Sequence, residues 1–370
     1  MARLVINGIP LLGEWSGVAR YTFEIASRIA PNFETSYYYG RLSRRLITSP
    51  PAGVSKIKGV PLVKRVVRKG LSLLSKLQPP RQFDLYFEPN FIPLPEIGAK
   101  KVVVTIHDFS FHLHPQFHPQ ERVAYFKKYF WDRIGRADKI VTVSQFVKKE
   151  AVELLGVPPE KVVPIYNGVE ERFFAPISDQ QLKEFRENRG LPERYLLFVG
   201  SIEPRKNLER LLRAYLSLPL SLRRDYPLLL AGGRGWNNRK IFELIEDSGG
   251  DVRYLGYFPR EEQPLLYRGA TLFLYPSLYE GFGLPVLEGM AVGVPVLTSN
   301  TSALPEVGGD QVYYVDPLDQ QQIGEGILEL LENPSLREKL GRGGAERARQ
   351  FTWERSAKEH LSLFHSLLSS

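Results

Sequence analysis

Short, mainly apolar runs alternate with longer stretches of helical spacing along nearly the whole chain. Residues 4–7, 83–88, 102–106, 139–143 and 162–166 in the first half, and 195–199, 227–231, 252–255, 271–275 and 294–297 in the second, have strand length. Polar or glycine-containing segments bound them. Such runs predict strands buried on both faces, as in a parallel sheet. Residues 18–29, 122–136, 145–155, 179–188, 333–350 and 353–368, and a segment opening at Leu208, carry helical spacing. Ser16 and Ser144 stand where N-caps belong. Strands alternating with helices predict open α/β sheets, whose ligands gather at the carboxyl ends of the strands. A chain of 370 residues is too long for one ordinary core, so two such domains are expected, with a linker near residues 170–176.

Residues 271–298 concentrate the pattern into strand, loop, helix and strand. Pro276 ends the first strand, and Glu280-Gly281-Phe282-Gly283 is a loop whose glycines let backbone approach a ligand. Pro285 suits the first position of a helix, where its missing N–H is not needed. The N–H groups and dipole of such a helix start make an anion site, here bracketed by Glu280 and Glu288. A plain strand–turn–helix with a dipole-stabilised Glu288 is the simpler reading of the same residues.

The whole run from Glu280 to the Gly-Val-Pro-Val strand resembles the Glu-x7-Glu signature of retaining glycosyltransferases of GT-B family 4, the mannosyltransferase-like "group 1" enzymes. The resemblance extends over nearly the whole chain. It implies an α/β GT-B fold: two Rossmann-like domains facing each other across a cleft, with the C-terminal helix crossing back to the first. The expected boundaries are residues 1–172 with 352–370 for the acceptor domain, and 173–351 for the nucleotide-sugar donor domain.

The resemblance also assigns roles. Gly17-Val18-Ala19-Arg20-Tyr21 is similar to the family's first glycine loop, with Gly17 near the donor phosphate and Arg20 toward the acceptor. His107-Asp108 resembles the His-Asp of the cleft, where the histidine contacts the transferring sugar or the acceptor. Asn167-Gly168-Val169 resembles the turn that precedes the second domain. Gly200-Ser201-Ile202-Glu203-Pro204-Arg205-Lys206-Asn207 follows a strand and resembles the donor-diphosphate loop. It departs from the family in one place: many members carry arginine where this chain has Ser201, and Arg205 beside Lys206 is the candidate replacement. Tyr257 and Phe258 match the place where members hold the nucleotide base by backbone contacts. Gly281, Phe282, Gly283 and Leu284 complete the donor site. Glu288 is assigned to the ribose hydroxyls and Glu280 to the sugar hydroxyls. His107, Arg205, Lys206 and Glu280 are thus the candidate catalytic residues.

Chemistry at an anomeric carbon with a nucleoside diphosphate leaving needs cations and N–H donors at that diphosphate. Arg205, Lys206 and the N–H groups near Gly283 and Leu284 can supply both, so no cofactor or metal is expected. Four of the six histidines cluster as His107, His112, His114 and His118, but without the helical spacing of a zinc site. Retention by front-face attack, assisted by the leaving phosphate, is what the family implies. The loops look most like those of bacterial O-antigen and cell-wall mannosyl- or rhamnosyltransferases, which use GDP-mannose or a related deoxysugar nucleotide and saccharide or lipid-linked acceptors. A sugar phosphorylase or sucrose-type synthase of the same fold is the nearest alternative. A nucleotide-sugar epimerase lacks the Glu-x7-Glu pattern, and a non-catalytic, membrane-recruiting module would not need the cation pair and glutamates.

Composition narrows the remaining classes. With 43% hydrophobic and 24% charged residues the chain is of ordinary globular type. It has no cysteine, which excludes disulfides, thiolate metal sites and thiol nucleophiles. No apolar run approaches transmembrane length, and the N-terminus reads as a strand rather than a signal peptide. The net charge of +8 is local: residues 41–81 hold 11 Lys/Arg and no Asp or Glu, which leaves the remainder at −3. Within that segment residues 60–77 have a helical pattern, with Leu62, Val63, Val66, Val67, Leu73, Leu74 and Leu77 on one arc. Lys64, Arg65, Arg68, Lys69 and Lys76 lie on the other. Two readings stand: a surface helix covering its own domain, or an interfacial helix on an anionic membrane. No stacking aromatics interleave with the charges, so nucleic acid is not the expected partner. A cytoplasmic location is expected, peripheral on the inner face of the plasma membrane if the helix meets lipid.

Overall fold

The computed structural model describes residues 1–13, 15–49 and 83–370; the two-faced helix expected at 60–77 lies outside the described residues. The chain forms two compact units. Met1–His112, Gln120–Gly168 and Trp353–Ser370 make the first, and Leu113–Pro119 with Val169–Thr352 the second. The division falls at Gly168–Val169 rather than after residue 172. Val169 donates its N–H to the Phe351 carbonyl at 3.1 Å and pairs with Thr352 as an isolated bridge. Leu113–Pro119 groups with the second unit because the Trp236 indole donates to the Phe117 carbonyl at 2.6 Å and the His114 ring lies 5.0 Å from that of Tyr279.

The sheet of the first unit contains β1 (Arg3–Asn7), β2 (Glu34–Tyr38), β3 (Leu42–Ser43), β4 (Phe83–Glu88), β5 (Ala99–Ile106), β6 (Lys139–Thr142) and β7 (Val162–Pro164). Their order among the described residues is β3-β2-β1-β4-β5-β6-β7, parallel except for β3. Leu4, Val5 and Ile6 are all inaccessible, as expected of a strand covered on both faces. Chain order reverses between β1 and β4, the topological switch point where open α/β sheets bind ligands. There the Asn7 amide donates to both oxygens of Glu88, at 3.0 and 2.8 Å.

The C-terminal helix Trp353–Ser369 belongs to this unit and packs on the helix Gly17–Ile29. Trp353, Phe364 and His360 are buried in the contact. The His360 Nδ1–H can only donate to its neighbour, the Ser356 carbonyl at 2.7 Å. Nε2 therefore accepts from the Tyr21 hydroxyl at 2.7 Å, and that hydroxyl in turn accepts from Thr105 at 2.8 Å. Ser16 does occupy the N-cap of Gly17–Ile29, but its hydroxyl makes no capping bond. Ser144 does cap its helix, accepting from the Val147 N–H at 3.1 Å.

The second unit holds β8 (Leu196–Val199), β9 (Leu228–Ala231), β10 (Val252–Gly256), β11 (Leu272–Tyr275), β12 (Val296–Ser299) and β13 (Tyr313–Val315). All pair in parallel, in the order β10-β9-β8-β11-β12-β13. The switch point is between β8 and β11, so the loops that follow these two strands meet at one carboxyl edge.

Candidate active site

The loop after β8 and the loop after β11 are stitched together at that edge. Leu278 donates its N–H to the Arg205 carbonyl at 2.9 Å. The Asn207 amide donates to the carbonyls of Pro276 at 2.9 Å and Pro317 at 2.7 Å. These bonds bring two short polar sequences, 74 residues apart at Lys206 and Glu280, into direct contact. Lys206 Nζ lies 2.5 Å from Glu280 Oε1 and 2.6 Å from the Tyr275 hydroxyl. Tyr275 and Ser277 donate to the same Oε1 at 2.9 and 2.7 Å. Arg205 donates to Glu280 Oε2 at 2.9 Å, to the Tyr279 carbonyl at 3.0 Å and to Glu203 Oε1 at 3.1 Å.

Two cations are thus braced by two carboxylates, and all four are buried or nearly so. Burial alone would push the Glu280 carboxyl up, but Arg205 and Lys206 together outweigh it and hold it near 2. Burial, and then the charge of Arg205, lower the Lys206 ammonium, while Glu280 and Glu203 oppose the shift. Glu280 is therefore ionised at neutral pH and a poor proton acceptor. Its oxygens, assigned by resemblance to sugar hydroxyls, are engaged by the cations and by two hydroxyl groups. Glu203 lies within the Gly200–Asn207 loop, and Tyr275 and Ser277 within residues 271–298, but neither motif assigns any of the three a role.

Gly283 is the N-cap of the helix Leu284–Ala291, with φ 106°. A Cβ there would come within 2.6 Å of the Leu304 side chain. The loop therefore needs glycine both for its left-handed backbone and for space. Leu284 opens the helix and Pro285 follows at its second position rather than the first. Gly281 and Phe282 are buried, with the Phe282 ring 6.0 Å from that of Phe351. Glu288, one turn into the helix and 8% exposed, accepts from the Tyr267 hydroxyl at 3.0 Å and faces Arg260 at 3.7 Å. Gly200 and Ser201 follow β8, with Ser201 exposed. After β10, Tyr257 is 73% exposed, whereas Phe258 is turned inward against Phe185 and Arg189. The two residues named for the base thus present different things: a whole ring at 257, and only backbone at 258.

In the first unit, His107 follows β5. Its Nε2 lies 2.8 Å from the Pro89 carbonyl, which can only accept, so the proton sits on Nε2 and Nδ1 keeps a lone pair. Burial lowers its pKa, which favours this neutral form. Tyr21 meets the ring edge-on at 4.9 Å and Phe91 packs on it at 5.3 Å. Asp108 accepts from the Ser110 N–H and hydroxyl, at 2.9 and 2.6 Å, and so shapes the turn beside His107. Gly17 starts its helix, while Arg20 is buried, 3.6 Å from Glu24 and stacked at 5.5 Å on Trp15. Asn167 is buried with its Oδ1 unpartnered among the described residues. The other three clustered histidines pack on rings: His112 on Trp131, His114 on Phe117 and Tyr279, His118 on Trp236.

Residues 15–173 match the model of Glycosyltransferase Family 4, and residues 179–347 match that of the group 1 glycosyl transferases. O-antigen chain mannosyltransferase B of Escherichia coli is 38% identical over 285 residues, which span 76% of this chain and 74% of that one. The chain belongs to the family 4, group 1 glycosyltransferases. Serotype-specific mannosyltransferase WbdA of E. coli is 31% identical over 66% of this chain, a match that spans 31% of WbdA's own length. Among solved structures, sucrose-phosphate synthase from Thermosynechococcus elongatus superposes with a TM-score of 0.76 at 19% identity, covering all of both chains. WaaG, a glycosyltransferase of lipopolysaccharide biosynthesis, superposes with a TM-score of 0.71 at 19% identity over 98% of this chain and 99% of WaaG. These likenesses give the fold, which is GT-B. Among the described residues no helix is long and apolar enough to cross a membrane.

Proposed function

We propose that this glycosyltransferase moves a hexosyl unit, with retention, from a nucleotide sugar to a saccharide or lipid-linked saccharide acceptor during cell-surface polysaccharide synthesis. Mannose from GDP-mannose is the favoured donor, with a related deoxysugar such as rhamnose second. The names of the two mannosyltransferase relatives support the sugar and the pathway class.

The observation that carries the reading is the Arg205–Lys206 pair beside the N-terminus of the helix Leu284–Ala291. Negative charge grows on the departing diphosphate. Preorganised cations and N–H groups stabilise it there without reorganising during the reaction. In this role Lys206 and Arg205 neutralise the leaving group, and Gly283 lets the backbone come close. Glu288 would hold the ribose hydroxyls. Glu280, with a carboxyl held near 2, suits neither base nor nucleophile and instead orients the two cations. This favours front-face attack, in which the leaving phosphate takes the acceptor's proton, over a double displacement. Neutral His107 offers Nδ1 as an acceptor to a hydroxyl of the sugar or of the acceptor.

The basic segment 41–81 supports a position at an anionic leaflet, where lipid-linked acceptors reside. The test is a panel of nucleotide sugars, with free nucleotide and glycosylated product both measured. Turnover with GDP-mannose and a saccharide acceptor is the expected result. Glucosyl transfer to fructose phosphate, or phosphorolysis, would move the protein to the sucrose-type or phosphorylase reading.

A further inference from the structure

Glu88 is the last residue of β4, is wholly inaccessible, and has no part in the chemistry described above. A carboxyl group is costly to bury unless its oxygens are bonded. Here they are. Asn7 donates to both oxygens, the Tyr86 hydroxyl lies 2.5 Å from Oε2, and the Asn90 backbone N–H donates to Oε1 at 3.0 Å. Asn7 is fixed in turn, since its Oδ1 accepts from the Ile9 N–H at 3.1 Å. The Asn7–Glu88 pair therefore ties the loop after β1 to the turn after β4, at the switch point of the sheet.

That turn is the one that holds His107. Glu88 grips residue 90, and the carbonyl of the residue between them, Pro89, accepts from His107 Nε2 at 2.8 Å. Phe91 follows, with its ring 5.3 Å from that of His107 and its N–H bonded to the Thr105 carbonyl at 2.9 Å. Its φ of 62° is a left-handed backbone that a bulky residue keeps only where its surroundings over-determine it. The bonds at residues 90 and 91 do this. The partners of Oε1 are N–H groups, which only donate, so any proton on the carboxyl sits on Oε2 beside Tyr86. Oε1 thus accepts from Asn90 in either state, although burial pushes the carboxyl up to about 8. If the turn relaxed, the Pro89 carbonyl would no longer select the Nε2–H form. His107 would then also populate the tautomer that presents a donor at Nδ1 in place of an acceptor.

We infer that Glu88, braced by Asn7, is a positioning residue for His107: it fixes the turn that aims the Pro89 carbonyl at Nε2, and so keeps the Nδ1 lone pair available to a substrate hydroxyl. The inference rests on the role given to His107 above.

The experiment records the nitrogen NMR shifts of the His107 ring in the full chain, together with turnover of GDP-mannose. In the wild type His107 should be the Nε2–H form alone. Glu88→Met has similar length but no acceptor. It should move the two ring-nitrogen shifts toward the averaged values of an exchanging imidazole, and turnover should fall roughly tenfold, the worth of one buried hydrogen bond. Glu88→Gln, which keeps an oxygen for Asn90, should hold the wild-type shifts and most of the turnover. A merely structural Glu88 would cost stability in Glu88→Met and leave the His107 shifts in place. If Glu88→Met does not fold, Asn7→Ala is the reporter: it removes one brace and should move the shifts in the same direction. Unmoved shifts in the reporter that folds overturn the inference. Moved shifts with wild-type turnover would leave the positioning in place and overturn the role of His107 in the transfer.

Discussion

The Lys206 ammonium lies 2.5 Å from Oε1 of Glu280, and both side chains are almost wholly buried. A buried pair of this kind has two consequences. It presents an oriented positive group at the edge of the sheet, and it makes that group part of the fold.

Lys206→Ala should therefore lose stability as well as turnover. Removing one partner of a buried pair leaves an uncompensated charge, at about 3–5 kcal/mol. Arg205 is more exposed and shares two carboxylates, so Arg205→Ala should lose turnover with a smaller loss of stability. Urea unfolding and initial rates on both variants check this. Wild-type stability in Lys206→Ala would mean the pair is not buried as described.

Two buried groups each give acid a step at which it weakens the fold. His360 is neutral in the fold until about pH 4, while an exposed histidine takes up its proton near 6.5. The unfolded chain thus gains that proton first, and the His360 contribution falls as pH drops from 6.5 toward 4, opposed by Glu88, whose buried carboxyl, raised to about 8, keeps a proton that the unfolded chain releases above 4.5. Glu280 has a folded pKa near 2 against 4.5, so its contribution is full above 4.5 and is lost as pH falls toward 2. Each step is worth on the order of 3 kcal/mol. Denaturant unfolding at several pH values measures both, and His360→Gln should flatten only the upper step. If that variant keeps the full slope between pH 6.5 and 4, the upper step does not belong to His360.

Gly283→Ala should impair nucleotide binding more than a surface substitution does. The residue would be held at φ 106° with its methyl 2.6 Å from Leu304. Backbone strain alone is worth roughly 1–3 kcal/mol, and the loop must move to relieve it. Thermal shift with and without a nucleoside diphosphate separates the two effects: a full ligand-induced shift in the variant would show that the loop does not approach the nucleotide.

How far the sequence reveals all this depends on the range of each signal. Strands buried on both faces, such as β1, β8 and β11, stand out as apolar runs, and their expected limits lie within about one residue of those observed. Strand β2, Glu-Thr-Ser-Tyr-Tyr, and β13, Tyr-Tyr-Val, went unforeseen because they are short and partly exposed, with no continuous apolar run. The Glu280 loop and the Arg205-Lys206 pair were each legible, because local glycines and prolines mark them. Their contact was not, since 74 residues separate Lys206 from Glu280. Arg260 carries no local pattern at all; only the fold brings it to Glu288. Arg20, assigned toward the acceptor, is buried against Glu24 and Trp15, because its place on the helix Gly17–Ile29 faces inward.

The basic segment 41–81 predicts binding to anionic vesicles at low salt. Each basic residue near such a surface contributes about 1 kcal/mol, screened beyond about 8 Å at physiological salt. Co-sedimentation with anionic vesicles measures it. Binding that survives partly in high salt and is lost on Val66→Asp points to apolar insertion, and complete release by salt points to charge alone. If the protein ignores anionic vesicles even at low ionic strength, the segment serves an acidic soluble partner instead.

The most direct test of the central claim is real-time NMR of the product formed from GDP-α-mannose and a mannose-terminated saccharide acceptor. Transfer to the acceptor with the new anomeric proton in the α configuration from the first turnover is the predicted result. A β product, or no transfer from GDP-mannose by folded protein that turns over another nucleotide sugar, would contradict it.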